Sequence, residues 1–108
     1  MNKSRPFDEY LIEKLADPAY AKVYLETALE SYEEDRDSDA FLLALRDVAE
    51  AQGGLGKLAE ETKLNRAGIY KALSERGNPR LDTIEKILHN LGFRLSIESL
   101  HSVEEKVS

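Results

Sequence analysis

Residues 55–80, LGKLAEETKLNRAGIYKALSERGNPR, decide the reading of this chain. Leu58, Ala59, Leu64, Ile69 and Ala72 fall at offsets that let two short helices cross around a tight turn. Ala59 is small enough for the second helix to approach closely. Arg66, Ala67, Tyr70 and Lys71 face the other way. In a helix-turn-helix the second helix enters the major groove of DNA with its N-terminal half nearest the bases. On that geometry Arg66 suits a bidentate contact to guanine, Lys71 reaches a second base, and Ala67 fits a thymine methyl. Tyr70 donates to a phosphate or packs on a sugar, with cover of the core as its structural alternative. Gly56 and Lys57 open the first helix, whose N-terminal amides suit a phosphate. Asn65, Ser74, Arg76, Asn78 and Arg80 lie where such a motif meets the DNA backbone, so they would position rather than specify.

The formal charge of −6 is unusual for a nucleic-acid binder, and its distribution matters more than its sum. Residues 1–50 hold 6 Lys/Arg against 13 Asp/Glu, a net −7. Residues 51–80 hold 6 against 3, a net +3, and residues 81–108 hold 3 against 5, a net −2. The one positive block coincides with the helix-turn-helix. Chance clustering on a solvated face is the competing explanation.

Upstream, Phe7, Tyr10, Leu11 and Leu15 have helical spacing after the extended Ser4-Arg5-Pro6, although an arm that orders on a partner fits as well. Asp17-Pro18 is a helix start, Asp as N-cap and Pro at the first helical position. Ala21, Tyr24, Leu25, Ala28 and Tyr32 then line one face, which predicts a helix over 18–32. The charged run from Glu33 to Asp39 reads as a solvated loop. A second amphipathic helix is expected from Ala40 to Gln52, with Phe41, Leu42, Leu45, Val48 and Ala49 inward and Gly53-Gly54 stopping it.

Within the motif, short helices are expected over Leu55–Thr62 and from the N-cap Asn65 to Glu75. Gly77-Asn78-Pro79 is a turn. A last helix starts at Asp82 or Thr83, with Leu81, Ile84, Ile87, Leu88 and Leu91 apolar, and ends at Gly92. Phe93 to Glu98 then alternates apolar and polar, a strand pattern with Phe93, Leu95 and Ile97 on one face. A lone strand has no partner for its backbone groups, so pairing with its own copy across a two-fold axis is expected, a homodimer. Pairing with another protein's sheet is the alternative.

No apolar run approaches the roughly 20 residues of a membrane span, and no signal-peptide pattern opens the chain. A cytoplasmic protein is expected. With no cysteine, a disulfide framework, a Cys-based zinc site and a thiol nucleophile are excluded. His89 and His101 are too far apart, and too lacking in companions, to suggest a metal. Gly53-Gly54-Leu55-Gly56-Lys57 lacks the spacing of a phosphate loop and follows a helix rather than a strand. No Ser/His/Asp set or paired acids suggest catalysis, so neither an enzyme nor a cofactor is expected.

Leu58-Ala59, Leu64-Asn65-Arg66, Ile69-Tyr70-Lys71-Ala72-Leu73-Ser74, Gly77-Asn78-Pro79-Arg80-Leu81 and Leu91-Gly92-Phe93-Arg94-Leu95-Ser96 together resemble the probable addiction module antidote proteins. These are phage-repressor-type helix-turn-helix antitoxins related to the HigA group. The likeness extends upstream through Asp17-Pro18, Tyr24-Leu25, Ala28-Leu29 and Phe41-Leu42 to Asp47-Val48-Ala49. The resemblance implies a five-helix DNA-binding core with a C-terminal strand, a dimer that represses its own operon, and a small basic RelE/ParE-like toxin as partner. It puts Arg66, Ala67 and Lys71 at base-contact positions. One departure stands out: Lys63 occupies the turn position usually held by Gly, so a non-Gly residue with positive φ is expected.

The expected organisation is all-α. It comprises an acidic helical extension (1–39), a phage-repressor-like helix-turn-helix domain (40–92), a dimerising strand (93–100) and a disordered tail (101–108). An acidic surface favours capture of a basic toxin, which makes the helix of residues 18–32 and the acidic loop Glu33–Asp39, with Glu33, Glu34, Asp35 and Asp37 as its docking acids, the expected docking face. The alternatives are a stand-alone regulator without a toxin, and a protein-interaction module that no longer meets DNA.

Overall fold

An aspartate followed by a proline starts the longest helix of the chain. In a computed structural model, which describes residues 8–101, Asp17 accepts a hydrogen bond from the Ala19 amide at 3.0 Å and Pro18 is the first helical residue. The described residues form six helices: α1 (Glu9–Leu15), α2 (Pro18–Asp35), α3 (Asp39–Ala51), α4 (Leu55–Thr62), α5 (Arg66–Ala72) and α6 (Leu81–Asn90). The expectations for residues 4–7, and for the tail beyond His101, lie outside the described residues.

The apolar stripes meet in one core. Leu15 of α1, Leu25 of α2, Leu45 and Val48 of α3, Leu58 of α4, Ile69 of α5 and Ile87 of α6 are all buried in it. Burying a side chain of this size stabilises by about 1.5–3 kcal/mol. Tyr24 on α2 donates its hydroxyl to the buried carboxylate of Asp47 on α3 at 2.7 Å, which gives a desolvated charge a hydrogen-bond donor and pins the two helices in register.

Several helix ends differ from the sequence reading. Helix α2 runs three residues beyond Tyr32, so Glu33, Glu34 and Asp35 are helical, and the loop shrinks to residues 36–38. Arg36 closes the helix in the left-handed region (φ 61°), with its amide on the Tyr32 carbonyl and its guanidinium 5.7 Å from the Tyr32 ring. Helix α5 stops at Ala72, short of Glu75. Helix α6 begins at Leu81, which is 69% exposed instead of facing inward.

The expected C-terminal strand does not form: no strand occurs among the described residues. Gly92 (φ 95°) turns the chain so that its amide bonds to the His89 carbonyl at 3.0 Å, while the Phe93 amide bonds to the Leu88 carbonyl at 2.8 Å. That pair of bonds is a Schellman closure of α6. Phe93 completes it by packing half-buried against the core. The amide and ring that began the alternating pattern are therefore committed to a helix cap, whereas Leu95 and Ile97 are exposed with no neighbouring ladder. Phe93, Leu95 and Ile97 are not a dimer strand. The segment from Asp39 to Asn90 also holds four helices rather than five.

Candidate nucleic-acid interface

Three local devices set the angle between α4 and α5. Thr62 donates its hydroxyl to the Leu58 carbonyl at 2.7 Å, which ends α4. Lys63 then takes the left-handed conformation (φ 64°, ψ 17°) that the turn demands, the strained arrangement expected for a non-Gly residue there. Asn65 caps α5 by accepting from the Gly68 amide at 2.9 Å. Ile69 and Leu73 go into the core behind, and Ala59 lets the helices approach.

What α5 leaves outside is Arg66, Ala67, Gly68, Tyr70 and Lys71, all exposed. The Arg66 guanidinium lies back over Gly56 at the start of α4, so close that a Cβ on Gly56 would displace it. Gly53, Gly56, Lys57 and Arg66 line one shallow depression there. The expected base contact Arg66 thus sits beside the expected phosphate contacts Gly56 and Lys57. Lys57 pairs loosely with Glu61 at 4.0 Å and stays half exposed.

Beyond α5 the chain reverses sharply. Ser74 donates its hydroxyl to the Lys71 carbonyl at 2.6 Å instead of facing outward. Arg76 is left-handed (φ 65°). Gly77 must be glycine, because a Cβ there would overlap the Ala72 carbonyl. Asn78 and Arg80 follow in the open. Arg80 bonds to Asp82 at 3.2 Å on an exposed surface. That hydrogen bond holds the Asp82 carboxyl below the usual carboxylate range and raises Arg80 in return. Asp82 therefore competes with a phosphate for this guanidinium.

Two side chains that the sequence reading passed over belong to the same face. Arg46 of α3 is half-buried with its guanidinium 5.8 Å from the Tyr70 ring, so Tyr70 serves as a shelf for a cation. Its signal was a lone cation inside the apolar run FLLALRDVA. Asp39, the first residue of α3, accepts a hydrogen bond from the Arg76 amide at 2.8 Å. No local pattern announces a pairing across 37 positions.

The acidic residues gather at the end of α2 and in the loop after it, linked through Asp39 to the turn at Arg76. Glu33, Glu34 and Asp35 occupy the last turn of α2 and Asp37 the loop after it, all exposed. Asp35 accepts from the Asp37 amide at 2.9 Å, and Asp37 from the Asp39 amide at 3.0 Å. Among the described residues no cluster of His, Asp and Glu is arranged to hold a metal, and no helix is long and apolar enough to cross a membrane.

A family model described as probable addiction module antidote protein matches residues 5–99. A curated protein of Haemophilus influenzae, described as uncharacterized, is 33% identical over 60 residues, which is 56% of this chain and 61% of that protein. The chain therefore spans less than two thirds of the length of the curated relative it matches. No solved structure matches.

Proposed function

The chain belongs to the family of probable addiction module antidote proteins, and on that premise we propose that it is the antitoxin of a type II toxin-antitoxin pair. In this reading it binds operator DNA through α5 to repress its own operon, and neutralises a small basic RelE/ParE-like toxin. Membership in a family of antidotes gives the chain a non-enzymatic role.

One observation carries the DNA-binding half of the proposal. Along α5, Arg66 shares a depression with Lys57, Tyr70 carries Arg46, and Lys71 shares a second depression with Arg76, while Ile69 is spent on the core. Arg66, Ala67, Tyr70 and Lys71 face the groove, with Tyr70 also supporting Arg46. Gly56, Lys57, Asn65, Arg76, Asn78 and Arg80 flank them along the DNA backbone, whereas the Ser74 hydroxyl is spent on the Lys71 carbonyl. Two copies on a two-fold operator would let one recognition helix read each half-site, an arrangement that does not draw on residues 93–100. Cytoplasmic residence follows from an operator as ligand.

The toxin half is supported by the C-terminal turn of α2. Glu33, Glu34 and Asp35 sit at the negative end of the helix dipole, where the C-cap Arg36 pairs with Glu33 at 3.8 Å and three acids still outnumber it. A basic partner would relieve this repulsion. Glu33, Glu34, Asp35 and Asp37 are therefore the proposed docking acids.

The experiment is a fluorescence-anisotropy titration, at fixed salt, of the duplex upstream of the chain's own coding sequence against a random duplex. Specific binding that Lys71→Ala weakens by about 1–3 kcal/mol while random-duplex binding survives supports the reading. Equal affinity of wild type and Lys71→Ala for both duplexes refutes it.

A further inference from the structure

We infer that Asp39, an acidic residue at the start of α3, is a positioning residue for DNA binding. Its carboxylate holds the turn from Ser74 to Arg80 in the conformation that presents Arg76, Asn78 and Arg80 to a DNA strand. The inference deepens the DNA-binding reading above and rests on it.

The turn after α5 is unusually demanding. Arg76 is a non-Gly residue at φ 65°, and the next residue passes so close to the Ala72 carbonyl that only glycine fits. A left-handed residue with a Cβ is disfavoured and persists where surrounding contacts over-determine it. The Gly77 amide bonds to the Ser74 carbonyl at 2.9 Å, which closes the reversal from within. From outside it is held by Asp39, whose Oδ1 accepts the Arg76 N–H at 2.8 Å. A carboxylate accepting from an amide is a charge-assisted bond, stronger than its neutral counterpart.

Asp39 is itself well fixed. It lies in the first turn of α3, where a negative charge suits the helix dipole, and its amide donates to Asp37 at 3.0 Å. Arg46, about two turns further along the same helix, braces Tyr70 on α5. Helix α3 therefore holds the recognition helix by its aromatic residue and holds the following turn by its amide.

The sign of the effect makes the inference sharp. An acid near a polyanion repels it, so charge alone predicts that removing Asp39 tightens DNA binding. The tether predicts the reverse. Asp39→Asn keeps an oxygen acceptor and loses the charge. Asp39→Glu keeps the charge and displaces the acceptor by a methylene. Asp39→Ala loses both.

The test measures anisotropy of a fluorescein-labelled duplex carrying the sequence upstream of the coding sequence, and of a random duplex, for the full chain and the three variants. Asp39→Ala and Asp39→Glu should each weaken both duplexes about tenfold, the equivalent of one hydrogen bond to a charged group. Asp39→Asn should bind as tightly as wild type or more so. Amide hydrogen exchange at Arg76 should accelerate in the Ala and Glu variants and stay slow in the Asn variant. Wild-type affinity in Asp39→Glu, or tighter binding in Asp39→Ala, overturns the inference. A wild-type chain that binds neither duplex, with the Arg76 amide still protected through Asp39, refutes the DNA-binding reading and with it the positioning role, while leaving the tether as a purely structural bond.

Discussion

Helix α2 and the pair α4–α5 bury their apolar residues in the same core and present opposite charges to solvent. Helix α2 has 18 residues, of which only Ala21 and Leu25 are buried, and its outer surface carries exposed Tyr20, Val23 and Leu29 before the acidic last turn. Helix α5 has 7 residues, too few to be stable alone, and is held by an asparagine cap and by Ile69 and Leu73 in the core. The difference separates two ways of keeping a surface available. The short helix is locked from behind, which leaves Arg66, Ala67 and Lys71 outward while Tyr70 also supports Arg46. The long helix is anchored along one stripe, where Tyr24 and Ala28 pack beside Ala21 and Leu25, and its exposed apolar and acidic residues gain most from a partner.

The largest expected effects break or confirm the shared core. Ile69→Ala and Leu25→Ala should each lower stability by about 2–5 kcal/mol. In urea each variant should still unfold in a single transition. Two separated transitions would show that the two regions fold independently.

Next comes the DNA face. Arg66→Ala and Lys71→Ala should each cost about 1–3 kcal/mol of specific operator affinity, with little change in the unfolding midpoint. Mobility shifts on the upstream duplex check this. If both variants bind as wild type does, another surface reads the DNA.

The acidic region gives a kinetic effect. Neutralising Glu33, Glu34, Asp35 and Asp37 together should slow association with the neighbouring gene's product by about tenfold at low salt, through lost electrostatic steering. Operator affinity should stay within about twofold, a free-energy change below about 0.5 kcal/mol. Surface plasmon resonance across a salt series separates this from a loop that only solubilises, for which the association rate would not move.

The smallest effects are local. Lys63→Gly relieves a left-handed lysine but loosens the unfolded chain, so a net gain of only about 0.5 kcal/mol is expected in urea melts. Asp82→Ala frees Arg80 from its hydrogen bond and should tighten binding to operator and random duplexes alike by about twofold to threefold, within the range of an exposed ion pair. A change confined to the operator would place Arg80 on a base instead.

Much of this was readable from local chemistry. Asn65 as a cap, Gly53-Gly54 as a stop and Asp17-Pro18 as a start each follow from what one or two residues do to their own backbone, whereas the left-handed Lys63 followed from the family resemblance. The C-terminal segment was misread because alternation over Phe93–Glu98 looks the same whether Phe93 begins a ladder or folds back to cap α6. Only the Phe93 amide on the Leu88 carbonyl distinguishes them. The acidic run was read as loop because charge density was weighed above the helical preference of glutamate, whereas Arg36 and Tyr32 together carry the helix to Asp35. Asp39 and Arg46 escaped notice because their partners, Arg76 and Tyr70, are distant in sequence.

The central claim is that one face meets DNA while an opposite-charge face meets a toxin, and that the two do not exclude each other. The direct measurement is sedimentation of the labelled upstream duplex with the full chain and increasing amounts of the neighbouring gene's product. The account predicts a single heavier species containing duplex, chain and toxin, with the recognition helix still on the DNA. Release of the duplex as the toxin binds would contradict it.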